Sequence, residues 1–176
     1  MKIAIVGATG LVGRMMLRVL EEQDFPVEAI IPVASAASVG KTIVFRSKEY
    51  SVVDAETAIS MKPALALFSA GGAASLALAP LFANAGITVI DNSSAWRKDT
   101  AVPLVVPEVN GAAIGADNKI IANPNCSTIQ MVAALAPLHK AYSIKRLVIS
   151  TYQSVTGSGI KGVNQLEAEQ NGQKSA

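Results

Sequence analysis

Residues 1–34 constrain the fold more than any other stretch. Lys2–Val6 is a short apolar run that stops at Gly7 and reads as a buried strand. Behind it, Leu11, Met15, Leu17, Val19 and Leu20 recur at helical spacing as far as Glu22. Val27–Ala34 is a second apolar run, interrupted only by Pro32 near its end. Strand, helix and strand in so short a length make a βαβ unit. A chain that begins this way is committed to parallel strands with helices packed on them.

The alternation continues. Lys41–Val53 alternates weakly and suggests an excursion or a small hairpin. Leu65–Ser69 is another apolar run, followed by Gly71, Gly72 and a helix-like stretch over Ala74–Ala85. Ile87–Ile90 predicts a strand ending at Asp91, and Lys119–Ala122 one ending at Asn123-Pro124-Asn125. Cys126–Tyr142 has helical periodicity through Ile129, Val132, Leu135 and Leu138. Lys145–Val155 is rich in β-branched residues and predicts a long strand, closed by the turn Thr156-Gly157-Ser158-Gly159. The polar tail, Asn164–Ala176, predicts a helix that frays. The pattern is that of a doubly wound α/β sheet. The tail carries no stop signal, so the chain is expected to be part of a longer one.

Composition narrows the function. Hydrophobic residues make up 51% and aromatics only 5%, which suits a parallel α/β core. A net charge of +2, with scattered lysines and arginines, argues against nucleic acid. No apolar run approaches the roughly 20 residues of a membrane span, so no membrane partner is expected. The single cysteine cannot form an internal disulfide, and the expected setting is reducing and cytoplasmic.

Gly7-Ala8-Thr9-Gly10-Leu11-Val12-Gly13 joins the first strand to the first helix. Small residues there let the backbone approach a pyrophosphate, and a helix N-terminus offers free N–H groups. Glycines also occur in purely structural turns; the position after an N-terminal strand favours nucleotide binding. Gly13 is expected to let the helix lie close to the strand. At the end of the second strand an NAD site places a carboxylate for the ribose hydroxyls. Here that place holds Ser35 and Ser38, with Lys41 nearby, and no carboxylate. Hydroxyls and a cation accept a 2′-phosphate, which favours NADP; the alternative is that both serines merely shape a loop.

Asn125 can cap the helix that starts at Cys126, and the field at a helix start favours a thiolate. Cys126 is therefore a candidate covalent nucleophile, against the alternative of a packing cysteine. The only histidine, His139, lies thirteen residues on along the same expected helix, about 20 Å away, and cannot serve as its base unless that helix breaks. Arg97, in the loop Asp91-Asn92-Ser93-Ser94-Ala95-Trp96-Arg97, could hold a phosphate or carboxylate, against the alternative of a solvated surface arginine. Gln153, ahead of the glycine turn, could contact a substrate or be an ordinary edge residue.

Four segments carry a resemblance: Gly7–Gly13, Asp91–Arg97, Asn123-Pro124-Asn125-Cys126-Ser127-Thr128, and Thr151-Tyr152-Gln153-Ser154-Val155-Thr156-Gly157. In order and spacing they resemble the aspartate-semialdehyde dehydrogenases. That implies a Rossmann-like NADP-binding domain over 1–125 and, over 126–176, the first part of an α+β catalytic and dimerisation domain. The implied activity is NADPH-dependent reduction of L-4-aspartyl phosphate to L-aspartate-4-semialdehyde through a cysteine thioester. This step leads towards lysine, diaminopimelate, methionine and threonine. By the resemblance, Cys126 is the nucleophile, Gln153 orients substrate, and Arg97 and Asn125 bind phosphate. Gly7, Thr9, Gly10, Leu11, Val12, Ser35, Ala37, Ser38, Ser69, Ala70, Gly71, Thr156 and Gly157 would contact NADP. The family forms homodimers or homotetramers.

Two positions depart from the pattern: Ala37 stands where the family often has arginine, and the last turn reads Gly-Ser-Gly-Ile-Lys. The acid/base histidine and a carboxylate-binding arginine are expected outside this chain, which alone should bind cofactor without turnover. The alternatives are a related acyl-phosphate reductase, such as N-acetyl-glutamyl-phosphate reductase, or a non-catalytic nucleotide-binding module.

Overall fold

The computed structural model describes residues 1–173. In chain order the elements are β1 (Lys2–Val6), α1 (Leu11–Glu22), β2 (Ala29–Val33), β3 (Thr42–Phe45), β4 (Lys48–Ser51), α2 (Ala55–Ser60), β5 (Leu65–Phe68), α3 (Gly72–Asn84), β6 (Thr88–Asp91), α4 (Pro107–Asn110), β7 (Ile120–Ala122), α5 (Cys126–Tyr142) and α6 (Ile160–Gln170). Strands β2-β1-β5-β6-β7 form one parallel sheet in that spatial order. From β1 the chain steps outwards to β2, then returns to the other side of β1 and continues outwards. The switch point lies between β1 and β5, and ligands of open α/β sheets collect at the carboxyl ends of the strands there.

Both faces of the sheet are covered, which is why its strands read as continuous apolar runs. Ile3 and Ile5 of β1 point to one face, with Ala8, Leu17 of α1, Ile30 and Phe45. Ala4 and Val6 point to the other, with Val33, Phe68, Val89 and Phe82 of α3. Phe68 and Phe82 meet edge to face, with centroids 5.3 Å apart. Pro32 is tolerated inside β2 because β2 lies at the margin of the sheet. The outer side of β2 meets the hairpin of β3 and β4 through a short bridge, Val33 to Val53.

Most expected elements are present with shifts of a few residues at their ends. The excursion over 41–53 is the β3–β4 hairpin. One expectation is overturned. Lys145–Val155 forms no strand: residues 143–154 are irregular, and Leu147, Val148 and Ile149 are exposed. Strand preference is realised only against a neighbouring strand, and none of the described residues provides one there. Thr156–Gly159 is a 3₁₀ turn over Val155–Ser158 leading into α6, so the tail helix starts before Asn164. The end of the expected frayed tail, residues 174–176, lies outside the described residues. Two short helices were not anticipated. One is α4; the other is α2, capped by Asp54, whose carboxylate accepts from Thr57 N–H at 2.7 Å. That backbone hydrogen bond, chiefly, holds the Asp54 carboxyl below its ordinary value.

Candidate active site

The glycine turn sits at the switch point and is shaped by close approach. Gly7 has φ +89°, and a Cβ on it would strike the Ser69 carbonyl at the end of β5. At Gly13 a Cβ would collide with Gly7 O and stand 2.8 Å from Ala8 Cα, so only glycine lets α1 lie this near β1. The first helical bond is Arg14 N–H to Gly10 O, at 3.0 Å. The amides of Leu11, Val12 and Gly13 are therefore left without intrahelical acceptors, and no side chain caps them. Beside this helix start lies a cleft of about 400 Å³ lined by Thr9, Gly10, Leu11, Val12, Arg14, Ser69, Gly159 and Ile160. Free amides at a helix start, beside small residues, fit a dinucleotide pyrophosphate.

The loops around this cleft come from distant parts of the sequence. Ser69, Ala70 and Gly71 pass from β5 to α3, with Gly71 at φ +86°. After β2, Ser35 opens a 3₁₀ turn over Ala36–Ser38. Ser35 and Ala37 are exposed, and Lys41 Nζ lies 3.4 Å from Ser38 Oγ.

At the end of β6, Asp91 is fully buried. Its carboxylate accepts from Ser75 Oγ, from Ser93 N at 2.7 Å and from Ser93 Oγ at 2.5 Å. Trp96 Nε1 donates to Ser75 Oγ at 2.8 Å. This network satisfies a buried polar side chain and fixes the turn that leads to Arg97. Arg97 donates from Nε to Asn123 O at 2.9 Å and from Nη2 to Asn92 O at 3.0 Å. Two of its donors thus tie the exits of β6 and β7 together, and Nη1 makes no hydrogen bond among the described residues.

Just beyond Asn123, the chain turns through Pro124 and starts α5. Asn125 Oδ1 caps it, accepting from Ser127 N at 3.0 Å and Thr128 N at 3.3 Å. The carboxamide oxygen is occupied by capping, so any anion contact by Asn125 falls to its Nδ2. Cys126 is exposed at the first helical position. Gln153 Nε2 stands 3.7 Å from Cys126 Sγ, bringing together two residues that sequence reasoning named separately. Gly157 lies against the Gln153 side chain, where a Cβ would collide with Nε2. Residues 153–160 therefore run from the thiol to the glycine cleft. His139 stays on the unbroken α5, about three to four turns from Cys126.

Sequence reasoning missed Arg14, Gly159 and Ile160 in the cleft, and the roles of Ser75 and Trp96 in the Asp91 network. Gly159 is legible only as part of a glycine-rich turn. A carboxylate directly after an apolar strand was the one available signal for the network. Among the described residues, no helix is long and apolar enough to cross a membrane.

A glycine cradle at a sheet switch point defines the class: a Rossmann-like dinucleotide-binding domain, here followed by a thiol at a helix start. The chain belongs to the semialdehyde dehydrogenase family, whose NAD binding domain matches residues 2–116. It is 54% identical to the aspartate-semialdehyde dehydrogenase of Aquifex aeolicus over 94% of this chain and 50% of that protein. Against the Bacillus subtilis enzyme of the same name, identity is 48% over 95% of this chain and 48% of the relative. The crystal structure of aspartate semialdehyde dehydrogenase II from Vibrio cholerae, complexed with ASA, superposes with a TM-score of 0.92 at 47% identity, covering 99% of this chain and 54% of that one. The chain spans about half the length of the curated relatives it matches.

Proposed function

We propose that this chain is the cofactor-binding and nucleophile-bearing part of an NADPH-dependent aspartate-semialdehyde dehydrogenase. The whole enzyme would reduce L-4-aspartyl phosphate to L-aspartate-4-semialdehyde, releasing phosphate. The observation that carries the reading is the exposed Cys126 thiol at the start of α5, with the Gln153 amide 3.7 Å from its sulfur. The segment holding Gln153 continues to the dinucleotide cleft.

In this reading the Cys126 thiolate attacks the acyl carbon. The S–C bond forms, the bond to the phosphate oxygen breaks, and that electron pair leaves with phosphate. Backbone N–H groups at the start of α5 suit the developing oxyanion. Arg97 Nη1 and Asn125 Nδ2 would receive the phosphate, and Gln153 would orient the acyl group. NADPH supplies the hydride that reduces the thioester; release of the aldehyde returns the thiolate. The cofactor would lie along Gly7–Val12, Ser35–Ser38, Ser69–Gly71 and Thr156–Gly157. The acid/base group and the substrate-carboxylate arginine would come from the part of the relatives' length that this chain does not span. Assembly as a homodimer or homotetramer, and a cytoplasmic setting, belong to the same proposal.

In a protein of the relatives' length, Cys126→Ala is expected to abolish turnover with aspartyl phosphate while NADPH still binds. Measurable steady-state turnover in that variant would remove the nucleophile assignment. The chain of 176 residues should bind NADP in a calorimetric titration without catalysing the reaction.

A further inference from the structure

We propose that Asn92 and Asn123 are positioning residues for the phosphate step: the hydrogen bond between their side chains holds Arg97 by one edge and leaves another edge for phosphate. The proposal rests on reading Arg97 as a phosphate ligand, and deepens it. It starts from the way the sheet ends. Strands β6 and β7 are paired as far as Asp91 and Ala122, and the last backbone rung is Asn123 N–H to Asp91 O at 2.8 Å. A parallel ladder would continue with Ser93 N–H on Asn123 O. Ser93 N–H turns back to Asp91 Oδ1 instead, at 2.7 Å. The Asn123 carbonyl is thereby released, and Arg97 Nε takes it at 2.9 Å.

A side-chain rung stands in for the missing backbone one. Asn123 Nδ2 donates to Asn92 Oδ1 at 2.7 Å, and both residues are half-buried. Asn92 is fixed a second time, because its N–H donates to Phe68 O at 3.0 Å. Its carbonyl is the other acceptor for Arg97, from Nη2 at 3.0 Å. The two asparagines thus set the spacing of two carbonyls, and those carbonyls hold the Nε–Nη2 edge of the guanidinium. A planar guanidinium grips an oxyanion through a pair of donors on one edge, either Nε with Nη2 or Nη1 with Nη2. The first edge is spent on the main chain here. Phosphate is therefore received end-on, by Nη1 and the remaining Nη2 hydrogen. The aim of that edge is set by the asparagine pair rather than by the rotamers of a free arginine.

The test is steady-state kinetics on a protein of the relatives' length, run from the aldehyde with NADP and inorganic phosphate. Arg97→Ala should raise the KM for phosphate about tenfold or more. Asn92→Ala and Asn123→Ala should each raise it about fivefold, with kcat and the KM for NADP within about twofold of the parent. The double asparagine variant should cost no more than either single one, because the same bond is lost in all three. Neither asparagine substitution should add to the effect of Arg97→Ala. Should Asn123→Ala fail to fold, Asn92→Ala, outside the strands, carries the same comparison. A loss spread over phosphate, NADP and kcat, or a double variant whose loss is the product of the single ones, overturns the proposal. It is also overturned, with the phosphate reading intact, if Arg97→Ala raises the phosphate KM and both asparagine variants leave it unchanged. If Arg97→Ala itself leaves that KM unchanged, the phosphate reading fails and the proposal falls with it.

Discussion

Residues up to Pro124 and those after it have similar appetites for burial and opposite fates. Ile3, Ile5, Phe68 and Phe82 are at 0% exposure, whereas Leu147, Val148 and Ile149 are at 49%, 81% and 55%. Beyond Pro124 no described residue is buried. The first region satisfies its apolar strands internally, because each central strand has a neighbour on both sides and helices over the sheet. The second has a well-capped helix and an apolar run, but no layer to bury them against. Apolar content states a need for burial; only topology says whether the chain itself meets it. Cys126 lies on the seam between the two regions. Its helix start is fixed from the packed side, through Arg97 and Asn123, and its neighbour Gln153 comes from the open side.

The largest expected effect separates the two regions by stability. Phe82→Ala empties a fully buried site and should cost about 3–5 kcal/mol in denaturant unfolding followed by Trp96 fluorescence. Leu147→Ala, already half exposed, should change the same transition by less than about 0.5 kcal/mol. Equal losses would mean that the apolar run after α5 packs in solution in a way its exposure contradicts.

A smaller effect tests the join between the packed region and its cleft. Gly13→Ala places a Cβ against Gly7 O and Ala8 Cα, both main chain and unable to rotate away. Overpacking of this kind costs about 1–3 kcal/mol. The displaced α1 start should also weaken NADP binding, because the amides of Leu11 and Val12 move with it. A variant as stable as the parent, with full NADP affinity, would show that α1 does not need its close contact with β1.

How much of this was legible in the sequence follows the same divide. The βαβ start, β5, β6, β7 and the limits of α5 could be read because their periodicity and their surroundings agree. Lys145–Val155 was misread as a strand because β-branched residues report preference, and pairing is a property of the partner. The cleft was half legible. Gly7 and Gly13 announce a close approach, but nothing in local pattern says that Gly159 and Ile160 arrive from the far end of the chain. Arg97 reads as a candidate anion ligand; its bonds to the carbonyls of Asn92 and Asn123 depend on two strand exits meeting, which no spacing reveals. The α2 helix escaped notice because six residues carry too little periodicity, although Asp54 three positions before Thr57 was its capping signal.

That cap supports the smallest prediction, and it tests whether acid sensitivity belongs to the packed region. The Thr57 amide lowers the Asp54 carboxyl below its ordinary value of 3.8 in the folded chain. A depressed carboxylate contributes stability that is fully present above the unfolded value and is lost as pH falls through the folded one. Asp54 therefore helps α2 at neutral pH and loses that contribution progressively as pH falls below about 4. Asp54→Ala should lower the unfolding midpoint slightly at pH 7 and by less at pH 3, so the two midpoints converge in acid. Because α2 packs beside β2 and far along the chain from Cys126, thiol alkylation should be unchanged by the substitution. A gap between variant and parent that stays constant from pH 7 to pH 3 would show that the Asp54 charge contributes nothing to the cap.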